Sequence, residues 1–311
     1  MRRLIELGLC IALAGPALVA AQEPTPAPSQ PPAPAANPAQ AARARMSRPV
    51  VLQPDDVPAF AEAPASMFER RDAIPHGKLE LIEYDSKTVG TRRKMNVYTP
   101  PGYSRDSKYP VVYLLHGIGG DETEWIRFAH PAELFDNLIA DGKMVPLIAV
   151  FPNGRAQKDD RPGDNPFTTA PAFAVFERDL LDDVIPAIES RYSAKTDRDS
   201  RALAGLSMGG GQTLNFGLTH LDRFAWIGGF SSAPNTRPPA ELVPDPAAVT
   251  RQLKLLMLTC GSKDGLMEIS QSFHAYLKAH NVPHVWHVDG HAHDPEHWRS
   301  SLHGFVQRLF R

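Results

Sequence analysis

From Leu79 onward, apolar residues fall into short continuous runs that alternate with stretches of helical spacing. "LELIEYDS" and "RRKMNVYTP" are rich in β-formers and predict two adjacent strands. "PVVYLLHG" and "PLIAVFPNG" predict strands buried on both faces, each ending at a glycine, and between them "PAELFDNLIADGK" has helical spacing. In "FAVFERDLLDDVIPAIESRY", Phe173, Phe176, Leu180, Val184 and Ile188 recur every three or four residues, one face of an amphipathic helix. The pattern continues with "RALAGLS", a helix from Met208, "FAWIGGFSS", "KLLMLTCGS", a helix over Met267 to Ala279, "HVWHVDG" and a last helix ending at Phe310. Strands alternating with helices predict a mostly parallel sheet covered on both faces, with chemistry where strands end and helices begin.

The first 75 residues differ in kind. "MRRLIELGLCIALAGPALVAAQ" has two arginines, an apolar stretch and small residues before Gln22, the layout of a cleavable signal peptide over residues 1–21. This implies a secreted or periplasmic protein, without a membrane anchor. Residues 22–45 are dominated by Pro and Ala without apolar period, so they predict a semi-extended tether. Residues 46–75 read as an arm on a folded domain over 76–311. Without the leader, Cys260 is the one remaining cysteine, so no intrachain disulfide can form. With 33 basic against 35 acidic residues and no long single-sign block, nothing calls for a nucleic-acid partner. No cofactor is implied.

In "LAGLSMGGG", Ser207 lies between Gly205 and Gly209 where a strand passes into a helix. Such a turn strains the serine backbone, lifts its hydroxyl above the sheet, and needs glycines where side chains would strike the neighbouring strand and helix. The spacing alone would arise by chance roughly 0.1 times in a chain of this length; the strand-to-helix context makes it informative. A serine needs a base to become a nucleophile, and on this fold the partners follow in the order acid, histidine. Asp264 in "TCGSKDG" is the candidate acid; its alternative role is a helix cap near Met267. "HVWHVDGHAHDPEHW" holds His284 and His287 in a strand and His297 in the final helix, leaving His291 and His293 on the loop as candidate bases that position does not separate. The cluster departs from the His-x-His-x-Asp-His pattern of binuclear metallohydrolases, so no metal site is expected. "LLHGIGG" supplies a glycine-rich loop, and the backbone N–H groups of Ile118 and Met208 are the candidate oxyanion donors. No Gly-Lys-Ser/Thr follows, which argues against nucleotide binding.

The motifs "YPVVYLLHGIGGDETEW", "DNLIADGKMVPLIAVFPN", "RALAGLSMGGGQTLNFGLTHLDRFAWIGGFSS", "LTCGSKDGL" and "HDPEHWRSSLHGF" resemble the feruloyl and acetylxylan esterases of carbohydrate esterase family one. The likeness is strongest to the feruloyl esterase modules of bacterial xylanases and covers residues 75–311. It implies an α/β-hydrolase fold, hydrolysis of feruloylated or acetylated xylan or small esters, and a Ser207–His293–Asp264 triad. His293 fits because the family's histidine is followed five residues later by Trp and then a basic residue, as by Trp298 and Arg299. Where the family has Gly-Gly before that histidine this chain has His291-Ala292, a departure in the loop. Trp125, Phe167 and Trp298 are candidate walls of an acyl pocket. Residues 154–172 and 232–250, long and Pro-containing, are expected to line the acyl and sugar subsites.

Overall fold

The computed structural model describes residues 49–311 together with Ala44. The expected signal peptide and, apart from Ala44, the tether lie outside the described residues. Among the described residues no helix is long and apolar enough to cross a membrane.

Eight strands form one sheet in the order β1-β2-β4-β3-β5-β6-β7-β8. β1 (Lys78–Ser86) and β2 (Thr91–Thr99) pair antiparallel, and β2 is antiparallel to β4 (Ile148–Pro152). From β4 onward the pairing is parallel through β3 (Val111–Leu115), β5 (Arg201–Leu206), β6 (Trp226–Phe230), β7 (Leu255–Gly261) and β8 (Val285–Asp289). This is the α/β-hydrolase fold.

Side chains of β3 alternate between two cores, as a period of two requires. Val112 and Leu114 join Leu134, Phe135 and Leu138 of α2 (Pro131–Ala140) and Leu302, Phe305 and Val306 of α9 (Pro295–Val306). Val111, Tyr113 and Leu115 face Phe176, Leu180, Val184 and Ile188. Those four belong to α3 (Ala172–Asp179), a π turn (Leu180–Val184) and α4 (Ile185–Arg191). The predicted single helix is thus widened in its middle: Pro186 has no N–H to donate to a carbonyl one turn back, and the π turn absorbs the interruption. Each large apolar side chain buried there contributes about 2 kcal/mol.

α5 (Met208–Thr219) follows β5, and α8 (Met267–Ala279) follows β7. The last helix stops at Val306, short of Phe310. A short α1 (Glu124–Ala129), which has too few residues to show a period, precedes α2.

Residues 232–250 differ from the expected open connection. They hold α6 (Pro239–Leu242) and the first turns of α7 (Pro246–Gln252), and Leu242, Val243 and Val249 are buried with Phe273 and Leu277 of α8. Those three side chains join the core, many of the other residues of the stretch are exposed, and its first residues reach the serine turn. The arm lies across the β8 side of the domain. Val57 O accepts the Val288 N–H at 3.1 Å, the Ala59 N–H donates to His287 Nδ1 at 3.1 Å, and Phe60 stacks on His287 at 3.7 Å.

Candidate active site

The parallel strands end level with one another: Leu115 pairs with Gly205, Leu206 with Phe230, Phe230 with Thr259, and Gly261 with Asp289. The residues just after them therefore gather on one edge. Ser207 follows β5 with φ 52° and ψ −119°, a conformation that costs a non-glycine residue about 1–3 kcal/mol. Its neighbours hold it there. The Ser207 N–H donates to Phe230 O at 2.9 Å, and its carbonyl accepts from Ala233 N–H at 3.0 Å and Gly211 N–H at 3.1 Å. A Cβ on Gly205 would stand 2.5 Å from the Gly209 carbonyl carbon and oxygen, and one on Gly209 would stand 2.5 Å from Leu115 O. Both glycines are therefore demanded by backbone, which cannot rotate aside.

Ser207 Oγ lies 2.9 Å from His293 Nε2, and His293 Nδ1 lies 2.8 Å from Asp264 Oδ2. A carboxylate only accepts, so the Nδ1–H donates to Asp264 and Nε2 is left to accept from the serine hydroxyl. Asp264 is fully buried, and its other oxygen accepts the Leu266 N–H at 2.8 Å. Burial pushes its pKa up, but the hydrogen bond and charge of His293, the Leu266 N–H and Ser231 outweigh this and hold it below the ordinary carboxylate value. Asp264 does not side-chain cap α8, whose preceding residue is Leu266.

The histidines separate according to the loop that carries them. Asp289 Oδ2 meets His297 Nδ1 at 2.7 Å across the base of the loop, and its Oδ1 accepts the His291 N–H at 3.1 Å. Asp294 accepts the Ala292 N–H at 2.9 Å and caps α9 through the His297 N–H at 3.0 Å. This turns His293 toward Ser207 and sends His291 outward to Glu62 of the arm. His284 meets His274, and His287 stacks on Phe60. Among the described residues no three His, Cys, Asp or Glu side chains converge on a common point.

The loop after β3 is held by groups that spacing did not reveal. Gly154 N–H donates to His116 Nε2 at 2.8 Å, so His116 Nδ1–H donates to Gly117 O at 2.7 Å, which also accepts the Gly120 N–H at 3.1 Å. With its carbonyl so occupied, the Gly117–Ile118 peptide turns its N–H the opposite way. Burial lowers the His116 pKa. Glu124 fixes the same loop by accepting the Gly117 N–H at 2.6 Å. Met208 is the first residue of α5, whose first helical bond runs from the Gly211 N–H to Ser207 O, so its amide has no acceptor within the helix.

The three aromatic candidates part company. Trp125 is 1% exposed, donates its Nε1–H to Leu115 O at 3.1 Å and packs on Phe230, so it is core beneath the loop and not the wall of an open slot. Trp298 is half-buried, with its ring edge-on to His293 at 5.1 Å. Phe167 is half-buried on a 3-10 turn (Pro166–Thr169) that Asn165 caps at 3.2 Å. Arg155, in "PNGRAQ" after β4, ties that turn to the loop: its Nε donates to Thr169 Oγ1 at 3.0 Å and its Nη2 to Ile118 O. Its place after a buried strand on the same edge was the one signal available in the sequence.

The sequence profile of the Esterase family matches residues 86–309. An endo-1,4-beta-xylanase/feruloyl esterase of Xylanibacter ruminicola is 34% identical over 249 residues, 78% of this chain and 33% of that protein. Endo-1,4-beta-xylanase Y of Acetivibrio thermocellus is 29% identical over 54% of this chain and 16% of its own length, so this chain spans a third or less of these relatives. In structure, the CE1 ferulic acid esterase of the anaerobic fungus Anaeromyces mucronatus superposes with a TM-score of 0.71 at 27% identity, covering 80% of this chain and 96% of that one. The same enzyme in complex with ferulic acid gives 0.70. The chain belongs to the Esterase family of α/β-hydrolases, and its likeness to the feruloyl esterases of carbohydrate esterase family one holds in both sequence and fold.

Proposed function

We propose that this protein is a secreted serine carboxylic ester hydrolase that releases hydroxycinnamate from feruloylated plant cell-wall xylan. The observation that carries the reading is the hydrogen-bonded chain from Asp264 through His293 to Ser207, set at a strained strand-to-helix turn. The similarity to proteins named feruloyl esterases supports the acyl group.

Ser207 Oγ attacks the ester carbonyl as His293 Nε2 takes its proton, while Asp264 holds the imidazole tautomer and stabilises the imidazolium. The Ile118 and Met208 N–H groups receive the oxyanion, each donor contributing about 3 kcal/mol to the barrier reduction. Collapse breaks the bond to the sugar oxygen, which leaves with the proton from His293, and the feruloyl group stays on Ser207. Water then attacks with the same base, releasing the acid and restoring the serine. Trp298 and Phe167 form apolar walls for the acyl ring.

The test is Ser207→Ala assayed on methyl ferulate and on acetylated xylan, with fluorophosphonate labelling of both forms. Turnover and labelling should vanish together with the fold intact. A variant that keeps ordinary rates overturns the reading, and preference for acetylated xylan reassigns the acyl group.

A further inference from the structure

Arg155 is fully buried, yet among the described residues it forms no ion pair. Its neighbours in the same loop system behave differently: Arg93 pairs with Asp179 and Asp160, and Arg161 with Asp121, Glu122 and Asp160. Burying a guanidinium without a carboxylate is costly, and a fold that retains one has a use for its geometry. The Nη1 of Arg155 has no partner among the described residues, while the other two nitrogens reach two separate segments. Nη2 donates to the Ile118 carbonyl and Nε to Thr169 Oγ1 at 3.0 Å, so one rigid plane spans the loop after β3 and the turn bearing Phe167. The plane is itself fixed. Arg155 O accepts from Arg93 Nη2 at 2.8 Å, Arg155 N–H donates to Asn153 Oδ1 at 3.0 Å, and the guanidinium lies 5.0 Å over the Phe173 ring.

His116 orients one face of the Ile118 residue through the Gly117 carbonyl, and Arg155 orients the other through the Ile118 carbonyl. We propose that Arg155 is a positioning residue for ester hydrolysis, holding the Ile118 amide on the reacting carbonyl oxygen in register with the acyl-side turn at Thr169. The inference rests on the reading of Ser207 and its partners given above. A planar fork serves this purpose where a lysine would not, because it makes two bonds at a fixed angle.

Arg155→Met, Arg155→Lys, Thr169→Val and the Arg155→Met/Thr169→Val pair should be compared with the wild-type chain by thermal melts and by kcat and KM on methyl ferulate. A loop amide displaced by a fraction of an ångström should lower kcat about 30-fold or more in Arg155→Met with KM little changed. Lysine should recover part of that loss. Thr169→Val should lower kcat about fivefold while Arg155 is present, and should have no further effect in the pair, where the guanidinium that the threonine accepts from is gone. Wild-type kcat in a folded Arg155→Met chain, a loss confined to KM, or equal effects of Thr169→Val in both backgrounds would overturn the proposal. If Arg155→Met does not fold, wild-type kcat in both Arg155→Lys and Thr169→Val overturns it. An inert wild-type chain, or an active Ser207→Ala, would instead remove the reading on which it rests.

Discussion

Gly209 lies so close to the end of β3 that a Cβ on it would stand 2.5 Å from the Leu115 carbonyl oxygen and 2.6 Å from that of His116. The serine turn and the loop after β3 are thus in backbone contact, and neither can give without moving the other. Gly209→Ala should destabilise the fold by about 1–3 kcal/mol. Because the strain falls on the segment carrying the Ile118 amide, kcat should fall about 100-fold. Urea denaturation and steady-state kinetics on methyl ferulate measure the two effects; wild-type values in both would show that the turn has slack.

Asp264→Asn keeps the shape of the site but presents an amide to His293 Nδ1, favouring the wrong tautomer. A fall in kcat of about 10⁴ is expected with KM little altered. The carboxylate also contributes to stability. Its folded pKa is lowered, so its stabilisation is present above the unfolded value of about 3.9 and is lost as pH falls from there through the folded value. Below pH 4 the asparagine variant should therefore lose stability less steeply than the wild type, as denaturant midpoints between pH 5 and 2.5 would show.

Phe167, proposed as a wall for the acyl ring, stands on the turn whose Thr169 is bonded by Arg155, which also bonds the Ile118 carbonyl. Phe167→Ala should raise KM for methyl ferulate about tenfold and leave acetyl esters nearly unchanged, since losing one apolar wall removes about 1–2 kcal/mol of contact. Equal effects on both esters would exclude Phe167 from the acyl site.

His303, on α9, has its pKa lowered to about 4 by burial, with Lys143 and Arg308 adding to the effect. Between about 6.5 and about 4 the unfolded chain binds a proton there that the folded chain does not. Stability should decline as pH falls through that window, and this contribution should level off below it. His303→Gln should flatten the decline, visible as a smaller difference between urea midpoints at pH 7 and pH 4.5.

Arg93 is buried against Asp179 and donates to the carbonyls of Asn153 and Arg155, both at 2.8 Å. Removing the carboxylate leaves the buried guanidinium with Asp160, 3.4 Å from its Nε, as its remaining counter-charge. Asp179→Ala should cost about 3–5 kcal/mol, read as a fall in the urea midpoint with unchanged slope.

Much of the scaffold was legible because its causes are local. The run "VVYLL" has no polar face to offer solvent, so it had to be a strand buried on both sides, as β3 is. Gly205 and Gly209 announced a serine at a turn with no room for side chains. Other features were illegible because contacts between distant segments create them. Position on the loop did not separate His291 from His293, and only the family likeness of His293 with Trp298 and Arg299 did; the physical cause, the closing of their loop by Asp289 and Asp294, is a tertiary one. Residues 232–250 read as an open connection because an adjacent pair, Leu242 and Val243, and the distant Val249 show no period; their burial against α8 is a tertiary contact. Trp125 had the composition of a pocket wall and became core when α1 folded under its own loop.

By itself, the sequence determined the succession of the eight strands and the longer helices, the serine turn and the carboxylate that follows β7, because periodicity and steric exclusion act within a few residues. Tertiary structure alone decided how the histidine loop closes, where Trp125 is placed, and that Arg155 reaches the carbonyl of Ile118. Those outcomes depend on how separate strand ends are brought level along one edge of the sheet, a relation that no short stretch of chain contains.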